Sequence, residues 1–289
     1  RIDSAQQLRL SMQQHTDKDV WYPGSAKPGT PAALGTVTVH APKQERSLAE
    51  IAYSRKSAGG GDGNAPLNFE VRGWRQEVRR MIQSYSSTLG RNNAETDVRF
   101  ITHGADAKAD WLAHPAHLLS FGVDAWRMEA SPQRTLENNA PLFNNHVRND
   151  PFKDGRIDAI GLYVQDDMRF GALNLLAGLR RDTVKGNAAS MNNGATTSAL
   201  NRSDSAASGS LGAIYQVTPL LRPYANLSRA FRAGEMRERY ESSPRGDGYH
   251  YLGNPQIKPE VATQFELGLK GANDALDYRV AAYRNRIAD

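Results

Sequence analysis

The sequence predicts an all-β chain, an antiparallel transmembrane β-barrel to which it contributes about eleven strands. Three observations predict it. Apolar residues recur at every second position, the strand period, rather than at helical spacing. The links between these segments alternate between short and long. No run approaches the ~18 consecutive apolar residues of a membrane helix. A bilayer would therefore be crossed by strands, whose alternation averages to the modest 39% hydrophobic content seen here.

Taken in order, strands are expected at 7–13, 46–54, 67–82, 95–111, 117–129, 157–169, 173–182, 208–216, 221–230, 261–270 and 276–287. In the fifth, Leu119, Phe121, Val123 and Ala125 alternate with Ser120, Gly122, Asp124 and Trp126. The sixth sets Ile160, Leu162 and Val164 against Gly161, Tyr163 and Gln165. In the seventh, Leu173, Leu175, Ala177 and Leu179 share one face, and the eighth does the same with Leu211, Ala213 and Tyr215. The pattern is clearest in the tenth, where Thr263, Phe265, Leu267 and Leu269 oppose Gln264, Glu266, Gly268 and Lys270.

Short links fall at Ala113–Ala116, Phe170–Ala172, Val217–Pro219 and Gly271–Ala275. Long polar links fall at 14–45, 129–156, 183–207 and 231–260, with an intermediate one at 55–66. Tight turns at one end and long loops at the other suit a closed sheet in lipid, where no water satisfies an open edge. A soluble sandwich or propeller also alternates, but long loops of this kind are uncommon in one soluble domain.

The charge balance excludes one class of function. Lys+Arg 36 against Asp+Glu 31 leaves +5, too dilute for a dedicated nucleic-acid binder. With no cysteine, a disulfide scaffold, a thiolate metal site and a Cys nucleophile are excluded. No catalytic constellation stands out, and carboxylates scattered along strands read as a wet interior face. Gly59-Gly60-Gly61-Asp62-Gly63-Asn64 lacks the Lys-Ser/Thr ending of a phosphate loop and reads as a flexible link. Arg245-Gly246-Asp247 reads as a turn, and His114-Pro115-Ala116-His117 as a solvated turn rather than a metal site. Trp111 and Tyr215 stand near strand ends as candidates for an interfacial aromatic girdle, whereas parity points Trp126 inward.

Two motif boxes and a hairpin are more specific. The first box is Tyr224-Ala225-Asn226-Leu227-Ser228-Arg229-Ala230-Phe231-Arg232-Ala233. The second is Gly253-Asn254-Pro255-Gln256-Ile257-Lys258-Pro259-Glu260, leading into the strand Thr263–Gly271. The hairpin runs from Gly161-Leu162-Tyr163-Val164-Gln165-Asp166-Asp167 to Leu176-Ala177-Gly178-Leu179-Arg180-Arg181-Asp182. In order and spacing these resemble the TonB-dependent receptors of Gram-negative outer membranes, specifically over 157–289 and in phase over 1–156. The family usually reads Phe-Arg-Ala-Pro and Asn-Pro-Asn-Leu-Lys-Pro-Glu; here Gly234 replaces the first proline, and Gln256-Ile257 replace Asn-Leu.

The resemblance implies a barrel of about 22 strands with an N-terminal plug. Residues 1–289 are then expected to be a partial barrel domain without plug, TonB-contacting segment or closing strands. It implies active uptake of a scarce ligand, an iron-siderophore or other metal chelate, with TonB and the lipid bilayer as partners and no nucleic acid, enzymatic activity or resident cofactor. Alternatives are a haem receptor of the same family, a passive porin or adhesin barrel, and a soluble carbohydrate-binding β domain.

The boxes Phe231, Arg232, Ala233, Asn254, Pro255, Pro259 and Glu260 are expected mainly to steer a long loop back into a strand, because both prolines fix φ and forbid helix before them. Arg229 and Arg232 are read as partners of lumenal carboxylates. Ligand-facing candidates in the last loop are Arg237, Arg239, Tyr240, Arg245, Tyr249, His250 and Tyr251, suited to an anionic, aromatic chelate. His250, between the boxes and flanked by tyrosines, is also the candidate axial ligand if the cargo is haem.

Overall fold

The computed structural model describes residues 2–22, 34–57, 67–137, 142, 144–244 and 250–288. The glycine link Gly59–Asn64 and the candidates Arg245 and Tyr249 lie outside the described residues. In chain order the strands begin with β1 (Gln6–Trp21), β2 (Val37–Arg55), β3 (Leu67–Ser86), β4 (Arg91–His114) and β5 (His117–Ala130). Three short ones follow, β6 (Gln133–Glu137), β7 (His146–Arg148) and β8 (Phe152–Lys153). Next come β9 (Gly155–Phe170), β10 (Leu173–Asn187), the short β11 (Ser190–Met191), β12 (Arg202–Tyr215) and β13 (Arg222–Arg232). A helical turn, α1 (Met236–Tyr240), precedes β14 (Ser243–Pro244), β15 (His250–Tyr251), β16 (Glu260–Ala272) and β17 (Asp277–Ala288).

The long strands form one antiparallel meander, β1-β2-β3-β4-β5-β9-β10-β12-β13-β16-β17, with β6 and β7 attached beside the upper part of β4. These are the eleven strands the alternation marks out, in the expected order. β6 continues the line of β5 after Ser131-Pro132, where proline offers no N–H to the ladder. Among the described residues no helix is long and apolar enough to cross a membrane.

Register puts the alternation to use. One continuous row across the sheet is Ala177–Leu211–Leu227–Phe265. The next is Leu175–Ala213–Ala225–Leu267. Leu211, Leu227, Phe265 and Leu267 remain about half exposed, at 54%, 50%, 47% and 50%. Apolar side chains standing in contiguous exposed rows are what a lipid-facing wall requires. Toward the turns this face ends in Trp111, Phe170 and Tyr215, all exposed, at the level of an aromatic girdle.

The opposite face is charged and paired. Arg9 Nη2 meets Glu50 at 3.0 Å, Glu50 meets Arg72 Nη1 at 3.3 Å, and Arg72 Nε meets Asp106 at 2.8 Å, a ladder over four strands. Further round, Arg180 bridges Asp124 and Asp182, each at 2.6 Å. Gly161 leaves the room for this, since a Cβ there would lie 1.9 Å from Arg180 Nη2. Loop residues fold onto this face, against Trp126, Met128 and Val184, so it is the inward face, and Trp126 points inward as parity requires.

At the turn end the links are as short as expected: Pro115-Ala116 and Gly171-Ala172 are two-residue turns. At the loop end the strands run well past their expected limits. Residues 14–21 and 37–45, expected as a polar link, are strand: β1 and β2 stay paired as far as Trp21↔His40. The link expected at 183–207 likewise shrinks to 188–201. The physical reason is that apolar alternation marks a strand only where one face meets lipid. Beyond the lipid band both faces of the sheet are wet, so polar ladders carry no such signal.

Candidate functional site

Described residues of three chain segments meet over the inward face at the loop end: 131–137 with 144–154, 188–201, and 233–244 with 250–259. They share one hydrophobic cluster. Phe152 from the first, Ala188, Met191 and Leu200 from the second, and Met236 and Tyr240 from the third pack with Val98, Ala130 and Ile157 of the wall. A stretch of good helix formers, Glu235-Met236-Arg237-Glu238-Arg239-Tyr240, supplies the one turn of α1. Its start is closed by the Glu238 carboxylate, which accepts from the Glu235 N–H at 2.8 Å.

The expectation that Arg239 and Tyr240 face a ligand is corrected. Both are fully buried. Arg239 donates to the Gly234 carbonyl at 2.8 Å, the Pro255 carbonyl at 3.3 Å and Asp204 Oδ2 at 2.8 Å. Tyr240 donates to the Leu200 carbonyl at 3.1 Å, and burial pushes its phenol up to about 12. Their side chains hold the cap together: Arg239 is the hub at which both motif boxes and β12 meet. Composition favoured exposed arginine and tyrosine, and only the packing of three distant segments reveals the opposite.

Box residues serve the same geometry. Arg232 forks onto Glu238 at 2.9 and 3.0 Å and onto Glu260 at 2.8 and 3.1 Å, the carboxylate pairing read from the sequence. Asn254 donates its N–H to the Glu238 carbonyl at 2.9 Å, and its side chain accepts from Gln256 N at 2.9 Å. Pro255 stands in a turn, Pro259 immediately precedes β16, and Glu260 opens that strand. Phe231 and Ala233 border the space under the cap. The two departures from the family pattern touch: a Cβ on Gly234 would lie 2.5 Å from Ile257 Cγ2. Arg229, by contrast, is on the lipid-facing side, where its Nη1 donates to the Ala207 carbonyl at 2.7 Å. The expected lumenal carboxylate is not its partner.

A second buried pair fastens the first segment to the third. Arg134 Nη2 meets Glu241 Oε1 at 2.9 Å with both side chains 6% exposed, and Arg237 Nε meets Glu241 Oε2 at 2.6 Å. Burial pushes the Glu241 carboxyl up, but the Arg134 hydrogen bond and the Arg237 charge outweigh it and hold the group below its ordinary value.

Under the cap lies a cavity of about 510 Å³, lined by Phe100, Trp126, Phe231, Arg80, Arg237 and Asp182 among others. A smaller one of about 60 Å³ lies beside it, between Arg80, Arg134, Phe152 and Glu241. Arg80 borders both, and its Nε is buried without a hydrogen-bond partner. Among the described ligand-facing candidates, Arg237 alone lines these cavities, beside the box residues Phe231 and Ala233. His250 and Tyr251 form the exposed strand β15, His250 opposite Pro244, and neither lines the cavity. Arg80, Phe100 and Trp126 were missed as site residues. The available signal was parity on the inward face at the loop end of adjacent strands. Among the described residues no three carboxylate or imidazole groups converge as metal ligands.

Comparison with known proteins agrees with this architecture. No curated protein sequence matches the chain. Among solved structures, it is similar to the copper transporter OprC at 15% identity and TM-score 0.70, covering 97% of this chain and 42% of that one. The alcaligin outer-membrane receptor FauA from Bordetella pertussis follows at 14% identity and TM-score 0.65, with 99% and 41% covered. The ferric yersiniabactin uptake receptor FyuA from Yersinia pestis is similar at 13% identity and TM-score 0.63, with 99% and 43% covered. The chain thus spans less than half the length of these structures. A family model described as TonB dependent receptor-like, beta-barrel, matches residues 9–289, and the chain belongs to that family.

Proposed function

We propose that this chain is the wall and loop cap of a Gram-negative outer-membrane receptor that imports a metal chelate, an iron-siderophore first among them. TonB would energise the step through parts of the receptor outside this chain. The observation that carries the reading is the cavity under the cap, where Arg80 and Arg237 stand among Phe100, Trp126 and Phe231. Guanidinium groups beside aromatic faces recognise an anionic, aromatic chelate by charge-assisted hydrogen bonds and stacking. The unpartnered Arg80 Nε supports this, because a buried donor left unsatisfied is costly and a ligand oxygen would satisfy it. Three structures similar to this one are an alcaligin receptor, a ferric citrate transporter and a ferric yersiniabactin uptake receptor, which favours the same cargo class.

The test is binding of a panel of ferric siderophores to the full-length receptor in detergent, followed by uptake in a strain lacking its own receptors. Arg80→Gln with Arg237→Gln is expected to weaken binding of the active chelate at least about tenfold. Unchanged binding in that variant would remove the cavity from the reading. A second cargo, haem, is favoured by the exposed His250-Tyr251 pair at the loop end. A Soret shift with haemin that disappears in His250→Ala would establish it.

A further inference from the structure

The smaller cavity beside the one under the cap is a site of its own. Its lining brings three guanidiniums together from three elements: Arg80 of β3, Arg134 of β6 and Arg237 of α1. Among the described residues one carboxylate, Glu241, lines it with them. Both oxygens of that carboxylate are already engaged, Oε1 by Arg134 Nη2 at 2.9 Å and Oε2 by Arg237 Nε at 2.6 Å. Three positive charges therefore face one negative charge. Asp150, nearby on the first cap segment, is taken by the Arg134 backbone N–H at 2.8 Å and by Arg148 Nε at 2.7 Å.

The imbalance falls on Arg80. Among the described residues it pairs with no carboxylate, and its Nε is buried without a hydrogen-bond partner. Other inward arginines differ: Arg72 meets Asp106, Arg180 meets Asp124 and Asp182, and Arg202 meets Asp204. Burying a charge without a partner is costly, and apolar walls raise that cost. Here Val98, Phe100 and Phe152 supply such walls. Hydroxyls stand among the cations. Thr96 Oγ1 accepts from Arg134 Nε at 2.9 Å and keeps its own hydrogen to donate, and Ser84 adds a second hydroxyl to the lining.

Size decides what fits. One water needs about 10–15 Å³ of such a volume, so the cavity of about 60 Å³ holds a few waters or one oxyanion of four or five heavy atoms. A drug-sized ligand needs about 300 Å³ or more, which the neighbouring cavity of about 510 Å³ offers. The two differ in their private residues: Ala94, Thr96 and Arg134 line the small one only, and Trp126, Asp182 and Phe231 the large one only. Arg80 and Arg237 border both, and the five donors of each guanidinium suffice for both.

We propose that the small cavity binds one inorganic oxyanion of the phosphate or sulfate class, held by Arg80, Arg134, Arg237 and the Thr96 hydroxyl, and that this anion ties the cap to the wall. The inference needs neither the imported cargo nor the membrane orientation. Full-length receptor in detergent is exchanged into chloride buffer without oxyanions. Radiolabelled inorganic phosphate and sulfate are titrated by equilibrium dialysis at constant ionic strength, and amide exchange of 233–241 is followed in parallel. One equivalent of phosphate or sulfate is expected to bind and to raise that protection, while added chloride does neither. Arg80→Leu, which breaks no ion pair among the described residues, should weaken binding about 10- to 100-fold, because hydrogen bonds from a charged group are lost. Thr96→Val should weaken it about 2- to 10-fold. Ala94→Leu leaves every arginine in place and puts hydrocarbon into the cavity, so it should abolish binding. No oxyanion bound by wild type, or undiminished binding in Arg80→Leu or Ala94→Leu, overturns the proposal, and binding without gain in protection overturns the tie between cap and wall. If those two variants do not fold, Thr96→Val and the wild-type comparison with chloride still decide. A receptor that binds its chelate in oxyanion-free buffer yet takes up no phosphate or sulfate would refute this inference alone; one that binds the oxyanion but no chelate would refute the other reading alone.

Discussion

Asp204 Oδ2 accepts from Arg239 Nη2 at 2.8 Å with side-chain exposures of 4% and 0%, so a wall strand and the helical turn of the last loop are joined by a buried ion pair. Asp204 also holds Arg202 Nε at 2.7 Å, while among the described residues Arg239 meets no second carboxylate, only the carbonyls of Gly234 and Pro255. Removing the anion therefore strands the cation. Asp204→Ala is expected to destabilise the cap by about 3–5 kcal/mol, and adding Arg239→Met should recover part of that because the uncompensated charge leaves with it. Hydrogen exchange of the 233–241 amides in the full-length receptor measures both effects. Equal protection in wild type and Asp204→Ala would show the pair to be dispensable.

The cap should also loosen in acid. Glu241 is held below its ordinary value of 4.5 by Arg134 and Arg237, against the opposing effect of burial. A group whose folded value is depressed contributes stability that is fully present above its unfolded value and is lost as pH falls through the folded one. Protection of 233–241 is therefore expected to be flat from neutral pH down to about 4.5 and to fall below it. Glu241→Gln should flatten that acid limb. An acid limb unchanged in this variant would assign the loosening to another carboxylate.

How much of this was legible in the sequence depends on where a residue sits relative to lipid. Within the band, Leu211, Leu227, Phe265 and Leu267 announce their face because hydrocarbon on one side and water on the other force alternation. Above it, residues such as Lys43 and Glu45 pair as strand with polar groups on both faces, and periodicity is silent. The motif boxes were legible as positions but not as partners. Arg239 reaches Asp204 across 35 positions of chain and Arg134 reaches Glu241 across 107, contacts that no local pattern encodes. Arg80 went unnoticed for a related reason: it lies in a run of charged strand residues, and only the closing of the cap makes its Nε buried.

The two faces of β13 make a direct test of lipid exposure. Leu227 lies in the apolar row beside Leu211 and Phe265, and Ser228 faces inward beside Ser210 and Gln264. Leu227→Arg is expected to cost about 1–4 kcal/mol more than Ser228→Arg, the larger the deeper Leu227 sits in the apolar band. Heat-modifiable gel migration after refolding into vesicles reads the folded fraction. Equal folding of the two variants would contradict the assignment of faces.

Gly234 and Ile257 form a matched pair, and their departures from the family pattern should be coupled. A Cβ at 234 would stand 2.5 Å from Ile257 Cγ2 and 3.6 Å from Arg239 Nε, so any larger side chain there presses on a residue packed against the cap. Gly234→Val is expected to cost about 1–3 kcal/mol by overpacking. Relief should come from Ile257, the neighbour it strikes: adding Ile257→Ala should return part of the loss, with a coupling of about 0.5–3 kcal/mol in a double-mutant cycle. Exchange protection at 233–241 again serves as the readout. Strict additivity would mean that the two residues share a contact but not an energetic dependence.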